Sequence, residues 1–259
     1  MSITYSSYLR LDDLLACQRP VSPGPEHDEM LFIVIHQVYE LWFKQLLHEI
    51  DHLAASFEAD DLPTVHATLK RVLTILKVQV AQIDILETMS PVSFLSFRHR
   101  LDTASGFQSP QFRELEFLLG CRDPRMLRHH EGTPALDRLV RRLDQPSLWD
   151  VFVRFLDRHG FEMPAALLER DRSHSNPETP EIHPRLLEIY RARPDLAQVC
   201  ERLVDFDEGL QEWRYRHVKM VERTIGTKKG TGGSAGADYL KSTLFRPLFP
   251  DLWAIRAEL

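Results

Sequence analysis

Proline placement constrains this chain more than any other feature. A proline inside a helix removes a hydrogen bond and clashes with the preceding turn. Long helices must therefore run where prolines are scarce. The chain has 16 prolines, and two stretches almost escape them: residues 26–90, broken only at Pro63, and residues 195–246. Both read as helical. From Asp28 to about Phe57, the apolar residues Phe32, Tyr39, Phe43, Leu47, Ile50 and Ala54 fall on one face at a 3.6-residue period. Lys44, Gln45, His48, Glu49 and His52 take the opposite side. A second helix is expected from about Pro63 to Thr88, after the acidic turn Asp60-Asp61-Leu62. A third long helix is expected from about Pro194 to Ile225.

Shorter helices fill the middle. Ser90-Pro91 and Ser109-Pro110 each set a capping side chain before a proline that tolerates the first turn. Asp123-Pro124, Thr133-Pro134 and Gln145-Pro146 read as similar starts. Residues 170–184 read as a loop, and Tyr239–Leu259 as one or two short helices. No alternating strand pattern and no repeat occurs. The expected fold is all-α, a single compact helical domain over residues 1–259 with long core helices.

Composition excludes several functions. With 32 Lys and Arg against 38 Asp and Glu, the net charge is −6, which argues against nucleic acid as a partner. No apolar run approaches the roughly 20 residues of a bilayer span, Leu31–Ile35 being the longest relevant one. The first residues show no basic-then-apolar signal pattern. Cys17, Cys121 and Cys200 are odd in number and far apart, which argues against a disulfide scaffold or a cysteine zinc site. A cytoplasmic, reducing setting is expected.

Four features carry chemistry. His48-Glu49-Ile50-Asp51-His52 formally matches the zincin motif HExxH. It lies on the polar side of its helix, so a solvated face competes with a zinc hydrolase. His36 instead falls among Phe32, Tyr39 and Phe43 on the apolar side, and His217 sits among Leu203, Phe206, Leu210, Val221 and Thr224 on the C-terminal long helix. Each reads as a hydrogen-bonded core histidine or as the wall of a haem or metal pocket between helices. Arg98 lies beside Phe94, Phe97 and Leu101, and a guanidinium there needs an internal carboxylate or a substrate carboxylate. Five of the 11 glycines fall within residues 226–236. Gly230–Ala235 matches GxGxxA but follows a helix rather than a strand, so the dinucleotide reading fails. A closing lid over a small polar ligand or a flexible linker remains.

The residues taken together resemble one family. Tyr5-Ser-Ser-Tyr-Leu-Arg-Leu-Asp12, His27-Asp-Glu-Met-Leu-Phe-Ile-Val-Ile-His36-Gln37, Glu40-Leu-Trp42, Phe97-Arg98, Ser105-Gly-Phe-Gln-Ser109, Trp213-Arg-Tyr-Arg-His217 and Gly230-Thr-Gly-Gly-Ser234 are similar to the tryptophan 2,3-dioxygenase family, along nearly the whole chain. The resemblance implies an all-helical haem enzyme. It would cleave the indole C2–C3 bond of L-tryptophan with O2 to N-formylkynurenine, the first step of the kynurenine route. Haem b in its Fe2+ form would be the cofactor and O2 the co-substrate. His217 corresponds to the axial haem ligand, His36 to the distal histidine that orients the indole N–H, and Arg98 to the binder of the substrate carboxylate. Thr231 corresponds to the threonine that holds the amino-acid end. Phe32, Leu101, Ser105 and Gly106 correspond to pocket positions. Tyr5, Tyr8 and Leu9 correspond to residues that enter a neighbouring subunit's site, which makes residues 1–26 a segment packing on that subunit. The implied assembly is a homotetramer, a dimer of dimers. Phe94 stands where some bacterial members carry Tyr, so that hydroxyl donor is missing. A related haem oxygenase acting on a modified tryptophan or indole shares these expectations.

Overall fold

The computed structural model describes residues 2–24, 26–228, 230 and 237–259. The N-terminal arm holds α1 (Tyr5–Leu9) and α2 (Leu11–Leu15). There follow α3 (His27–Glu58), α4 (Leu62–Leu86), α5 (Pro91–Arg98) and α6 (Pro110–Leu118). The second half runs through α7 (Leu136–Asp144), α8 (Leu148–Leu156), α9 (Ala165–Leu168), α10 (His183–Ala192), α11 (Pro194–Ile225), α12 (Ala237–Lys241) and α13 (Pro250–Ala254). Short 3-10 turns link several of them, and the described residues contain no strand. The fold is all-α. No described helix is long and apolar enough to cross a membrane.

Local sequence explains most boundaries. Asp61 caps α4 by accepting the N–H of Thr64 at 3.1 Å, with Pro63 in the first turn. Ser90 and Ser109 cap α5 and α6 through the N–H groups of Ser93 and Phe112. Three expected starts move. Asp123 caps a 3-10 turn rather than an α-helix. Thr133 caps nothing, and α7 begins at Leu136 without a side-chain cap. Ser147, not Gln145, caps α8, because Asp150 returns the bond to the Ser147 N–H and completes a capping box. Helix α4 ends at Leu86, slightly short of the expected Thr88. Residues 170–184 are mostly loop, but a 3-10 turn at Pro180–Ile182 leads into α10.

The frame consists of α3, α4 and α11. With 32 residues each, α3 and α11 are about 48 Å long at 1.5 Å per residue. Helix α4 packs against both. Gly209 of α11 permits that approach, since a Cβ there would lie 2.7 Å from Leu76 Cδ2. One continuous apolar cluster runs from this trio into α8, α10 and α13. The C-terminal segment is fastened by Asp207, which is fully buried. One of its oxygens accepts the N–H groups of Leu248 and Phe249 and the indole N–H of Trp253, at 2.7, 3.2 and 2.9 Å.

Candidate functional site

A cavity of about 330 Å³ opens between α3, α5, α6 and α11. Periodicity builds its walls. Helix α3 contributes Phe32, His36, Tyr39, Glu40 and Phe43, and α11 contributes Trp213, His217, Met220, Val221 and Thr224. Both sets follow steps of three and four residues, which keep side chains on one helical face. Phe94 and Arg98 enter from α5, and Ser105, Gly106 and Phe107 from the turn before α6. Tyr239, Leu240 and Thr243 complete the wall from the C-terminal segment.

The two apolar-face histidines meet in this cavity. His36 Nδ1 lies 2.7 Å from the carbonyl oxygen of Phe32. A carbonyl only accepts, so Nδ1 carries the proton and Nε2 keeps its lone pair. The Phe32 ring packs on the imidazole at 4.1 Å between centroids. The surface of His36 is open to the cavity, yet the surrounding protein mass desolvates the ring and lowers its pKa, against the pull of the Phe32 carbonyl and Glu40. His217 is held more strongly in its neutral form. Desolvation, then the repulsion that a protonated His36 would exert, pushes its pKa down to about 4. Trp213, one turn earlier, stacks on it nearly parallel at 5.4 Å. His217 therefore presents an uncharged imidazole, the form that ligates a metal.

Other expected positions divide. Phe32, Arg98, Ser105 and Gly106 all line the cavity. Ser105 also caps the turn at Gly106–Gln108. Leu101 does not line the cavity and packs against the core. Tyr5, Tyr8 and Leu9 do not line the cavity of their own chain and are exposed at 76%, 74% and 42%. Thr231 and the rest of the loop to Gly236 lie outside the described residues. In the HExxH segment His48, Asp51 and His52 are exposed, as the solvated-face reading expects, and only Glu49 departs from it. Glu49 is buried, takes both its oxygens to Arg71 at 3.0–3.1 Å and accepts from Gln45. Its side chain is committed to an ion pair, and Asp51 is committed to Arg142. No group of three or more metal-ligating side chains occurs among the described residues.

Sequence reasoning missed a buried ion cluster on the cavity wall. Arg113, Glu116 and Arg214 are each less than 9% exposed. Glu116 pairs with Arg113 on its own helix and with Arg214 of α11 at 3.0 Å. Arg113 Nε has no hydrogen-bond partner among the described residues. The cluster carries one net positive charge on a largely apolar wall. Charged residues at 113, 114 and 116 within a short apolar helix were the available signal. Nothing in the sequence paired Glu116 with Arg214, 98 residues away.

The site defines a class: an all-helical protein with a deep apolar pocket for a small molecule, faced by two neutral imidazoles and rimmed by arginines. Comparison with known proteins narrows it. The family model for tryptophan 2,3-dioxygenase matches residues 1–133 and 150–259. Proteins named tryptophan 2,3-dioxygenase are similar over the full length. The one from Herpetosiphon aurantiacus is 55% identical over 258 residues, covering 100% of this chain and 99% of the relative. That from Anaeromyxobacter dehalogenans is 57% identical, covering 100% and 97%. That from Caulobacter vibrioides is 47% identical, covering 99% and 98%. The chain belongs to the tryptophan 2,3-dioxygenase family.

Proposed function

We propose that this enzyme opens the indole C2–C3 bond of L-tryptophan with O2, placing both oxygen atoms in N-formylkynurenine. The observation that carries the reading is the pair of neutral imidazoles in one largely apolar cavity, one of them with no described partner at Nε2. The residues fit haem b. His217 would hold the iron, the aromatic and aliphatic walls suit a porphyrin, and Arg113 Nε, with no partner among the described residues, offers a donor to a peripheral carboxylate. Ferrous haem, when bound, supplies the activation of O2.

The protein's part is orientation and exclusion of water. His36 Nε2 accepts the indole N–H, because its other nitrogen is already committed to Phe32. Arg98 grips the substrate carboxylate with a charge-assisted fork. Phe32 and Phe94 receive the ring, and Phe94 adds no donor, which leaves more of the carboxylate's binding to Arg98. Thr231 holds the amino-acid end. Tyr5, Tyr8 and Leu9 complete the pocket of a neighbouring subunit in a homotetramer, a role supported by their exposure in their own chain.

The deciding experiment is the product mass from L-tryptophan with reduced, haem-loaded protein in air. A gain of two oxygen atoms is expected, and a gain of one or none overturns the reading. Arg98→Ala is expected to weaken tryptophan binding by about 10- to 100-fold, the effect of one charge-assisted contact of about 1.5–3 kcal/mol. Indoles lacking a carboxylate are expected to bind unchanged. Equal losses for both ligands would remove the assigned role.

A further inference from the structure

The pocket occupies one face of α3. The same helix carries two further polar side chains that the reaction does not use. Glu29, in the first turn, is 2% exposed. Its Oε1 accepts the N–H of Val21 at 2.6 Å, and its Oε2 accepts that of Ser22 at 3.1 Å. Two turns on, Gln37 accepts from Gln18 Nε2 at 2.6 Å and donates to the carbonyl of Cys17 at 3.2 Å. Residues 17–22 are thereby clamped along α3, running antiparallel to it. Gln37 directly follows His36.

Beyond that clamp the described residues of the arm are little held by the rest of the chain. Neither α1 nor α2 buries a residue. The described side-chain hydrogen bonds of residues 2–16 stay within the first 19 residues. A carboxylate taken out of water is costly without strong partners, and Glu29 finds them in backbone N–H groups of the arm root. Such a clamp costs little core packing to remove. It restricts instead the volume that the arm can sweep, and so the entropy lost when the arm docks.

We propose that Glu29 and Gln37 are positioning residues that act on the neighbouring subunit. They set the direction in which the arm leaves α3, so that Tyr5, Tyr8 and Leu9 arrive at the neighbour's pocket. This rests on the reading of the arm given under the proposed function.

The test mixes two defective subunits of the haem-loaded enzyme in equal amounts by co-expression. One carries Glu29→Ala and Gln37→Ala, which leaves a sound pocket and a loose arm. The other carries Arg98→Ala, which leaves a sound arm and a broken pocket. Each alone is expected to lose about tenfold or more in kcat/KM, because misplacement of a positioning group by an ångström is enough for that. In mixed oligomers the sound arm meets the sound pocket. Half the subunit pairs are mixed, each with one complete site, so activity is expected to rise to about a quarter of wild type. Glu29→Gln keeps only one of the two acceptor atoms and turns an NH2 toward the other backbone N–H, so with Gln37 intact it is expected to restore part of the loss and no more. Full activity of the double variant alone overturns the proposal. So does the absence of recovery on mixing when a control, Tyr8→Ala mixed with Arg98→Ala, recovers. If the control also stays inactive, the reading of the arm itself falls.

Discussion

Residues 2–16 and residues 237–259 are both short helical segments outside the three long helices, and both carry apolar side chains. In the arm, Ile3, Tyr5, Tyr8 and Leu15 are more than 70% exposed and no residue is buried. In the C-terminal segment, Leu248, Phe249, Leu252 and Ile255 are at most 2% exposed. Two buried carboxylates fasten that segment. Asp207 holds it to α11, while Asp251 accepts from the Thr179 N–H at 2.6 Å and faces His183 Nε2 at 3.0 Å. The same segment supplies Tyr239, Leu240 and Thr243 to the cavity wall. One end of the chain completes its own pocket. The other lies exposed, and among the described residues its polar tether to α3 sits at its root. Apolar content does not separate the two. The difference is where the chain places groups that satisfy backbone N–H donors.

The comparison breaks most readily at Phe249. Phe249→Ala is expected to cost about 3–5 kcal/mol, the usual loss for a fully buried phenylalanine. Chemical denaturation reads this, and the loss is expected at every protein concentration. A loss below 1 kcal/mol would mean that the C-terminal segment is not part of the core. Asp207→Ala comes next. It strands three donors at once, and about 3 kcal/mol is expected from lost charged hydrogen bonds and unpaired N–H groups.

Titration sharpens the contrast between pocket and tail. The neutral His217, with a pKa near 4 when folded, binds fewer protons than the unfolded chain below pH 6.5. The apoprotein is therefore expected to lose stability as pH falls from about 6.5 toward 4. Desolvation raises the pKa values of Asp207 and Asp251 instead. Their folded forms hold protons that the unfolded chain has released, so their contribution grows as pH falls. Denaturation midpoints of the apoprotein at pH 7.5 and 5.5, with and without His217→Leu, separate the two. The variant is expected to show the smaller drop, and an unchanged drop would refute the assignment to His217.

Much of this was legible in the sequence because the informative signals were local. Proline spacing and 3.6-residue periodicity located α3, α4 and α11, and the end points of α11 agree with the structure. The same periodicity placed His36 and His217 on apolar faces, and the structure brings both to one cavity. Capping failed where two candidates competed, as at Gln145 and Ser147. Long-range pairing was invisible throughout. Glu49 reads as a solvated residue by periodicity, yet Arg71 of the next helix neutralises and covers it. The partnership of Glu116 with Arg214, and of Asp207 with the tail, likewise depends on tertiary contacts that no spacing rule reports. Gly209 left a trace as the single glycine inside α11, but its reason, the nearness of Leu76, is tertiary.

The smallest effect expected on the isolated fold is that of Tyr8→Ala. An exposed side chain with no described contact contributes within about 0.5 kcal/mol to the stability of its own chain. An assembled oligomer adds a term that depends on protein concentration, because contacts made only with a partner stabilise by mass action. Tyr8→Ala is therefore expected to leave the denaturation midpoint unchanged in dilute protein and to lower it in concentrated protein. Phe249→Ala is expected to lower it equally in both. Sedimentation velocity over the same concentrations would show the Tyr8 variant dissociating earlier than the parent. If Tyr8→Ala shifted neither the midpoint nor the dissociation at any concentration, the arm would have no partner to meet. The two ends of the chain would then differ only in burial.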